Sequence, residues 1–306
     1  MTSKPLTLLD LPISIANQVL EKLEPVEILA CRKVCRSLRS AIDKSVHFNK
    51  ISIELENHDV LIDFDGIEIT YRDAPDGESY VIYNGQSKTI KGVHYRNAAF
   101  NDLKILLKNV SKLYILRKER YRHNTVNFLV NVLKEEVNIH VDTITLNHFS
   151  FDDVLLILPL FNCKTLKKIS LRRILEIGRF ELITYLDQWK NSKIFSFRDS
   201  SLNCEYIEYL FHFEEFCINT HDIPMQSVIK IRDDLLQRST FQKCTFLIQK
   251  LNFKPVELAR VFQPDYAGGD EFKLDYSNDK SNFAIHYEYY SFDDDDEWEF
   301  VIQRAS

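Results

Sequence analysis

The sequence predicts a chain of mixed α+β and α/β class in three zones. They are an N-terminal set of short helices, a short antiparallel β-meander, and an irregular α/β solenoid ended by a β-hairpin. Three observations carry this. Apolar residues recur at helical spacing over 10–45, the period drops to two over 50–91, and from about 100 a strand motif recurs between helical stretches. The zone limits are set at 1–48, 49–98 and 99–306.

In the first zone Ile15, Val19, Leu20 and Leu23 lie at helical spacing. Pro25 suits the first turn of a second helix, where its missing N–H has no partner to lose. A third helix is expected to carry Val34, Leu38, Ala41 and Ile42 on one face, with Arg32, Arg36 and Arg39 beside it. A unit of ~40 residues rarely closes a core alone. Some of the apolar surface must therefore be covered by the body of the chain or by a partner.

The second zone reads ISIEL, DVLIDF, IEITYR, SYVIY and SKTI, each alternating apolar with polar residues. Between them stand Asp65-Gly66, Pro75-Asp76-Gly77 and Asn84-Gly85. Asn-Gly and Asp-Gly tolerate the positive φ that tight hairpins need, so a meander is predicted.

The third zone repeats an apolar residue, two others, an apolar residue, one other, and a third apolar residue. Val110-Leu113-Ile115, Val141-Ile144-Leu146, Leu166-Ile169-Leu171 and Phe213-Phe216-Ile218 fit, with Phe195-Phe197 and Phe246-Ile248 as looser copies. The central positions 113, 144, 169, 195, 216 and 246 are 31, 25, 26, 21 and 30 residues apart. That is close to the ~20–29-residue period of leucine-rich repeats. With TVNFLVNVLKEE, DDVLLILPLF, FELITYLDQW and MQSVIKIRDDLLQR between the strands, a leucine-rich-repeat-like solenoid is expected, with parallel strands on one face and helices on the other. An ordinary α/β domain is the alternative. NFAIHYEYY and EWEFVIQ predict a closing hairpin with Asp293–Asp296 at its turn, capping the last repeat.

A formal charge of −6 gives no support to a nucleic-acid or anionic-membrane partner. Seven Gly and eight Pro against 21 Phe and 14 Tyr leave few flexible linkers and many large side chains to bury. Six cysteines without a CxxC pair, no signal-peptide core in MTSKPLTLLDLP and no 18-residue apolar run predict reduced thiols in a cytoplasmic or nuclear protein.

No catalytic motif such as GxSxG, Walker A, GxGxxG or HExxH occurs. Cys204, His212, Cys217 and His221 hold zinc-compatible atoms, but spacings of 8, 5 and 4 match no standard finger. Cys31 and Cys35, one helical turn apart, read as buried thiols. His140 and His148, near Asp142 and Asp153, read as strand-end polar residues, and Glu135-Glu136 as a solvated face. No catalytic, metal or cofactor residue is predicted.

DLPISIANQVLEKLEPVEILACRKVCRSLR resembles the F-box in order and spacing: Leu11-Pro12, Ile15, Val19-Leu20, Leu23, Pro25, Ile28-Leu29, then Arg32-Lys33-Val34-Cys35-Arg36. The resemblance implies an N-terminal three-helix F-box that docks on a Skp-type adaptor and, through it, on cullin and RING subunits. Leu11, Pro12, Ile15, Val19, Leu20, Leu23, Pro25, Leu29, Val34 and Leu38 would form or support that surface. Ser14 stands where many members carry an acid, and Leu38 where many carry an aromatic residue. A docking role requires that Leu11, Pro12, Ile15 and Leu20 are not sealed under the chain's own body.

FRDSSLNCEYIEYLFHFEEFCIN (197–219) and SVIKIRDDLLQRSTFQKCTFLIQ (227–249) resemble a nematode family in which an F-box precedes an FTH domain. That domain is generally taken as a platform for protein substrates. The implied function is the substrate-recognition subunit of an SCF-type ubiquitin ligase, itself without an active site. The alternative is a scaffold that uses the F-box outside any ligase; an enzyme domain fused to an F-box is a third class. The expected target-facing side chains are Tyr114, Thr145, Ser170, Ser196 and Cys217, against the simpler reading of a solvated sheet face.

Overall fold

A computed structural model of the chain describes Ile15, Gln18, Val19 and residues 22–23, 25–34, 36–45, 47–118, 123–135, 139–292 and 295–305. The chain divides into two compact units, 1–142 and 143–306.

The first unit begins with helical backbone at Ile15, Gln18 and Val19. Helices α1 (Pro25–Val34) and α2 (Arg36–Ser45) then pack on each other. Ile28 and Ile42 are buried between them, with Leu23 and Cys31 half-buried around the pair. Val34 ends α1 and is exposed, whereas Leu38 and Ile42 belong to α2. The single helical face expected for Val34, Leu38 and Ile42 is thus divided between two helices. Spacing reports the period of a helix but cannot reveal a break between two helices of similar phase.

From Phe48 the period becomes two. Strands β1 (Phe48–Leu55), β2 (Asp59–Phe64), β3 (Ile67–Asp73), β4 (Ser79–Tyr83) and β5 (Gln86–Ile90) pair antiparallel in that order. Asp65-Gly66 has φ of 51° and 89°, and Asn84-Gly85 has 47° and 72°. Two consecutive positive φ values are the mark of the type I′ hairpin turn. On the other side of β1, strand β6 (Val110–Arg117) runs parallel, with Ile51 beside Leu113 and Ile53 beside Ile115.

Alternation buries Ile51, Ile53, Val60, Ile62, Phe64 and Tyr71 on one face. Helix α3 (Tyr95–Leu106) packs on β2 and β3 and buries Ala99, Phe100, Leu103 and Leu106. Between these layers the Tyr71 hydroxyl donates to Asp102 Oδ2 at 2.8 Å. Burial, and the Asp102 carboxylate beside it, push the Tyr71 phenol far above its ordinary range. Tyr71 therefore stays a neutral donor. Helix α4 (His123–Glu135) follows β6.

The second unit begins with strands β7 (Thr143–Asn147), β8 (Lys168–Arg172), β9 (Ile194–Arg198), β10 (Glu215–Thr220) and β11 (Lys243–Ile248). Each pairs in parallel with the next in sequence. Ile144, Ile169, Phe195, Phe216 and Cys244 fall in one register row, and Leu146, Leu171, Phe197, Ile218 and Phe246 in another; all ten are buried.

The connections are short. They are α5 (Phe151–Ile157), a 3₁₀ turn at Phe180–Tyr185 followed by α6 (Asp187–Asn191), a 3₁₀ segment at Cys204–Leu210, and α7 (Met225–Lys230) with a π turn at Ile231–Leu235. Phe180 is buried at the centre of an aromatic cluster, within 6.5 Å of the rings of Phe151, Trp189, Phe195, Phe197 and Tyr206. FELITYLDQW, expected as a helix, is mostly 3₁₀. Phe180 and Trp189 are drawn down onto the sheet while Tyr185 stays exposed, and a tight return satisfies the local backbone.

Helix α8 (Pro255–Phe262) leads to strands β12 (Phe272–Ser277), β13 (Asn282–Phe292) and β14 (Asp295–Arg304). The predicted closing hairpin corresponds to β13 and β14, paired from Phe283–Arg304 to Phe292–Asp295. β14 also pairs antiparallel with β11, and β12 with β13, so the order is β11-β14-β13-β12. β12 and α8 were not anticipated. The alternation in FKLDYS is brief, and Pro255 reads equally as a turn.

Replacing Tyr71 by Phe removes the hydrogen bond that joins β3 to α3. Unfolding in urea is expected to show a loss of about 1.5–3 kcal/mol, the range for bonds to a charged partner. An unchanged midpoint would show that Asp102 is satisfied without Tyr71.

Candidate functional site

Two surfaces follow from these elements. The first lies on the N-terminal helices. Among the described residues Ile28 and Ile42 are the buried apolar side chains of these helices, with Leu23 packed against them. Ile15 is 42% exposed, Val19 38% and Val34 72%. Leu38 is half-buried. Pro25 and Leu29 occupy positions of α1, while Leu11, Pro12 and Leu20 lie outside the described residues. Of the residues assigned to docking by sequence, three thus present uncovered apolar surface and one, Leu23, supports the core beneath. Ile28 and Ile42 define that core, and the helical spacing of the motif already contained them.

The second surface is the side of the β7–β11 sheet away from the aromatic cluster. Thr145, Ser170, Ser196 and Cys217 are register partners across β7–β10, and Thr245 continues the row on β11. Tyr114 lies in the first unit instead, on β6, with Lys50 Nζ 4.9 Å from its ring centre. Thr145 is only 6% exposed and Ser170 9%. Small side chains in mid-sheet have longer neighbours two residues away on the same face. Here these are Lys168 and Arg172 on β8, Arg198 on β9, Glu215 on β10 and Lys243 on β11. A visiting molecule meets these long side chains first and the small polar floor second. Sequence reading selected the floor and missed its borders, although their positions follow from the same alternation.

The turn after each of the first three strands is built alike. His148, Arg173 and Asp199 follow β7, β8 and β9, and each has φ between 48° and 64°. A left-handed residue other than Gly is uncommon and costs on the order of 1 kcal/mol. Main-chain bonds join the turns, from His148 N–H to Arg172 O at 3.1 Å and from Arg173 N–H to Arg198 O at 3.0 Å. Asp199 Oδ2 accepts from Arg172 Nε at 3.1 Å and lies 3.8 Å from Arg173 Nε; Arg173 Nη1 is 3.4 Å from His148 Nε2.

The zinc-compatible residues do not converge. Cys204 Sγ meets Thr220 Oγ1 at 3.3 Å and donates to Asp222 O at 3.2 Å. His212 has its ring nitrogens 3.0 Å from the carbonyl oxygens of Tyr209 and Trp189. Arg198 Nη2 donates to Cys217 Sγ at 3.2 Å, and His221 Nδ1 lies 2.9 Å from Gln249 Oε1. Among the described residues, His286, Glu288 and Glu299 do bring donor atoms within 4.8 Å of one another. Lys273 Nζ, 2.9 Å from Glu288, already balances one of these carboxylates. Asp153, a neighbour of His148 in sequence, is spent on the capping box of α5 with Ser150. Glu135 pairs with Lys104, and His140 is exposed. Cys31 is half-buried, while Cys35 and Glu136 lie outside the described residues.

Comparison with known proteins agrees with the resemblance read from the sequence. Residues 8–50 match the F-box domain family and residues 123–265 the FTH domain family. The chain is also similar to F-box A protein 224 of Caenorhabditis elegans, with 26% identity over 299 residues, covering 92% of this chain and 77% of that protein. No solved structure matches. Fold and matches together define the class: an F-box protein, bearing a domain that in SCF-type ligases generally serves as the adaptor-binding module. An F-box match followed by an FTH-domain match, together with the similarity to a C. elegans F-box A protein, is consistent with the nematode F-box/FTH family. No catalytic family is indicated, and no helix among the described residues is long and apolar enough to cross a membrane.

Burial sets the chemistry of the thiols. It raises Cys204 to about 11, with the Thr220 hydrogen bond opposing, and raises Cys217 despite Arg198 beside it. Both are thiols rather than thiolates at neutral pH, and the thiolate is the nucleophile. Iodoacetamide at pH 8 is expected to label Cys204 at an appreciable rate only after unfolding, as read by mass spectrometry. Labelling of Cys204 in the native protein as fast as in urea would contradict its buried placement.

Proposed function

We propose that the chain is the substrate-recognition subunit of an SCF (Skp–cullin–F-box) ubiquitin ligase. The exposed Ile15, Val19 and Val34 on the N-terminal helices carry this reading. Apolar side chains left uncovered on so small a unit suit burial against a second polypeptide. A standard protein interface covers roughly 1,600 Å² with a few apolar anchors at its centre. Leu11, Pro12, Leu20, Pro25, Leu29 and Leu38 complete the proposed adaptor set, with Leu23 holding the helices beneath it. Cullin and RING subunits join through the adaptor.

The region from 99 onward acts, in this reading, as a leucine-rich-repeat-like platform for a protein target, joined to the F-box (1–48) by the meander (49–98). The in-register parallel strands β7–β11 support it. The target side is assigned to the row Thr145, Ser170, Ser196 and Cys217 with its charged borders, and to Tyr114 on β6. The chain contributes no catalytic group, metal or cofactor. Its work is positional: holding target and adaptor on one chain raises the effective concentration of target lysines near the conjugating enzyme. The five free cysteines among the described residues suit a cytoplasmic or nuclear setting.

Two variants test the docking face. Leu11→Ala with Pro12→Ala, and separately Ile15→Asp with Val34→Asp, are expected to weaken adaptor capture at least about tenfold, the effect of ~1.4 kcal/mol. The thermal midpoint of the Ile15→Asp, Val34→Asp variant should hold, because both positions are exposed and leave the core intact. The wild-type chain should bring down cullin together with the adaptor. Capture of adaptor without cullin would favour a scaffold outside the ligase, and undiminished adaptor capture by both variants would overturn the docking assignment.

A further inference from the structure

On the helical side of the second unit, three successive returns border an open cavity of about 320 Å³. Trp189 and Lys190 come from α6, Glu208 and Tyr209 from the Cys204–Leu210 segment, His212 from the turn after it, and Arg238 from the approach to β11. Its walls are aromatic. Trp189 is 2% exposed and fixed edge-to-face against Phe195 at 4.7 Å and Phe213 at 4.8 Å. Both His212 nitrogens are directed at main-chain carbonyls, which fixes that ring as well. Tyr209 stacks on Tyr206 and is partly open to solvent.

The polar groups around the cavity are unbalanced. Arg238 has no carboxylate within ion-pair distance among the described residues. Lys190 Nζ is 3.9 Å from Asp187, an exposed residue one turn back on its own helix. Glu208 is the acid at the rim, and Lys230 engages it. No protein acceptor among the described residues meets the indole N–H of Trp189. Burial holds His212 below the ordinary imidazole range, with the Arg238 charge acting in the same sense against the two carbonyls. Arg238 thus stands at this site without a carboxylate partner among the described residues, beside the partly open ring of Tyr209.

We propose that this cavity binds an anionic group carried on a single flat ring, an aryl phosphate or aryl carboxylate, with Arg238 and Lys190 on the anion and the ring against Tyr209. A guanidinium presents several N–H donors in a fork that matches such anions. The volume is at the small end of the range for ligand pockets, about 300–1,000 Å³, which suits one ring and excludes a dinucleotide. The site lies on the side of the sheet opposite the small polar row, and the assignment does not depend on the adaptor reading. Either a free aromatic acid or an acidic aromatic side chain of a bound protein carries this chemistry.

Calorimetry on the full chain with phenyl phosphate, benzoate and neutral benzyl alcohol tests it. Saturable binding of at least one acid, with a Kd of about 1 mM or tighter, is expected, and benzyl alcohol should bind about tenfold more weakly or worse. Arg238→Gln and Lys190→Gln should each weaken the acid about tenfold at an unchanged thermal midpoint, since both residues are exposed. A blocked tripeptide centred on phosphotyrosine separates the sources. Binding as tight as phenyl phosphate assigns the site to a protein side chain, and exclusion of the peptide while phenyl phosphate binds assigns it to a free acid. Absence of saturable binding by both acids, equal binding of benzyl alcohol, or full binding by the two variants overturns the proposal.

Discussion

The register of β7–β11 is the constraint on which the second unit depends. Side chains on a strand alternate, so a shift of one residue would exchange the apolar rows for the polar one. Ten buried side chains, from Ile144 and Leu146 to Cys244 and Phe246, would move to the open face. At about 2 kcal/mol for each, the loss is of order 20 kcal/mol, beyond the ~5–15 kcal/mol that stabilises a typical domain. One alignment is therefore tolerated. It simultaneously places Thr145, Ser170, Ser196, Cys217 and Thr245 in line, and it brings the returns close enough to share Phe180 and Trp189. Core, open face and cavity are three results of the same pairing.

Much of this was readable because it rests on local chemistry. Asp65-Gly66 and Asn84-Gly85 demand a particular backbone, and the hairpins sit where they stand. The strand centres at 144, 169, 195 and 216 were visible because apolar residues two apart enter one core. On β11 the row passes instead through Cys244, and the expected centre, Phe246, falls in the next row. What escaped has physical reasons. The break between α1 and α2 leaves the helical period nearly in phase, so Val34 was grouped with Leu38 and Ile42. Thr145 and Ser170 were selected for their position, whereas their burial depends on longer neighbours from adjacent strands. The cavity draws Lys190, Glu208 and Arg238 from separate returns, and no sequence pattern joins residues so far apart.

The two candidate surfaces differ in kind. On the N-terminal helices Ile15, Val19 and Val34 stand exposed while Ile28 and Ile42 are buried. The sheet of the second unit buries its large side chains thoroughly and turns small polar and long charged residues outward. The first suits permanent apolar contact; the second suits selective, hydrated contact in which charge and shape decide. The scarcity of Gly, and the replacement of flexible connectors by strands and tight returns, fit a chain whose proposed work is to hold positions.

The placement of β14 governs when the second unit can be assembled. Residues 295–304 lie between β11 and β13, so the strand made after β12 and β13 is the one that joins them to the rest. During synthesis, the β11 edge stays bare until residue 304 has cleared the ribosome, and β12–β13 has nothing to lean on. A nascent chain interrupted within those ten residues would carry an unpaired hydrophobic border, the type of surface that chaperones and proteolytic quality control seize. Closure of this sheet thus waits for β14, the strand made after both of its neighbours.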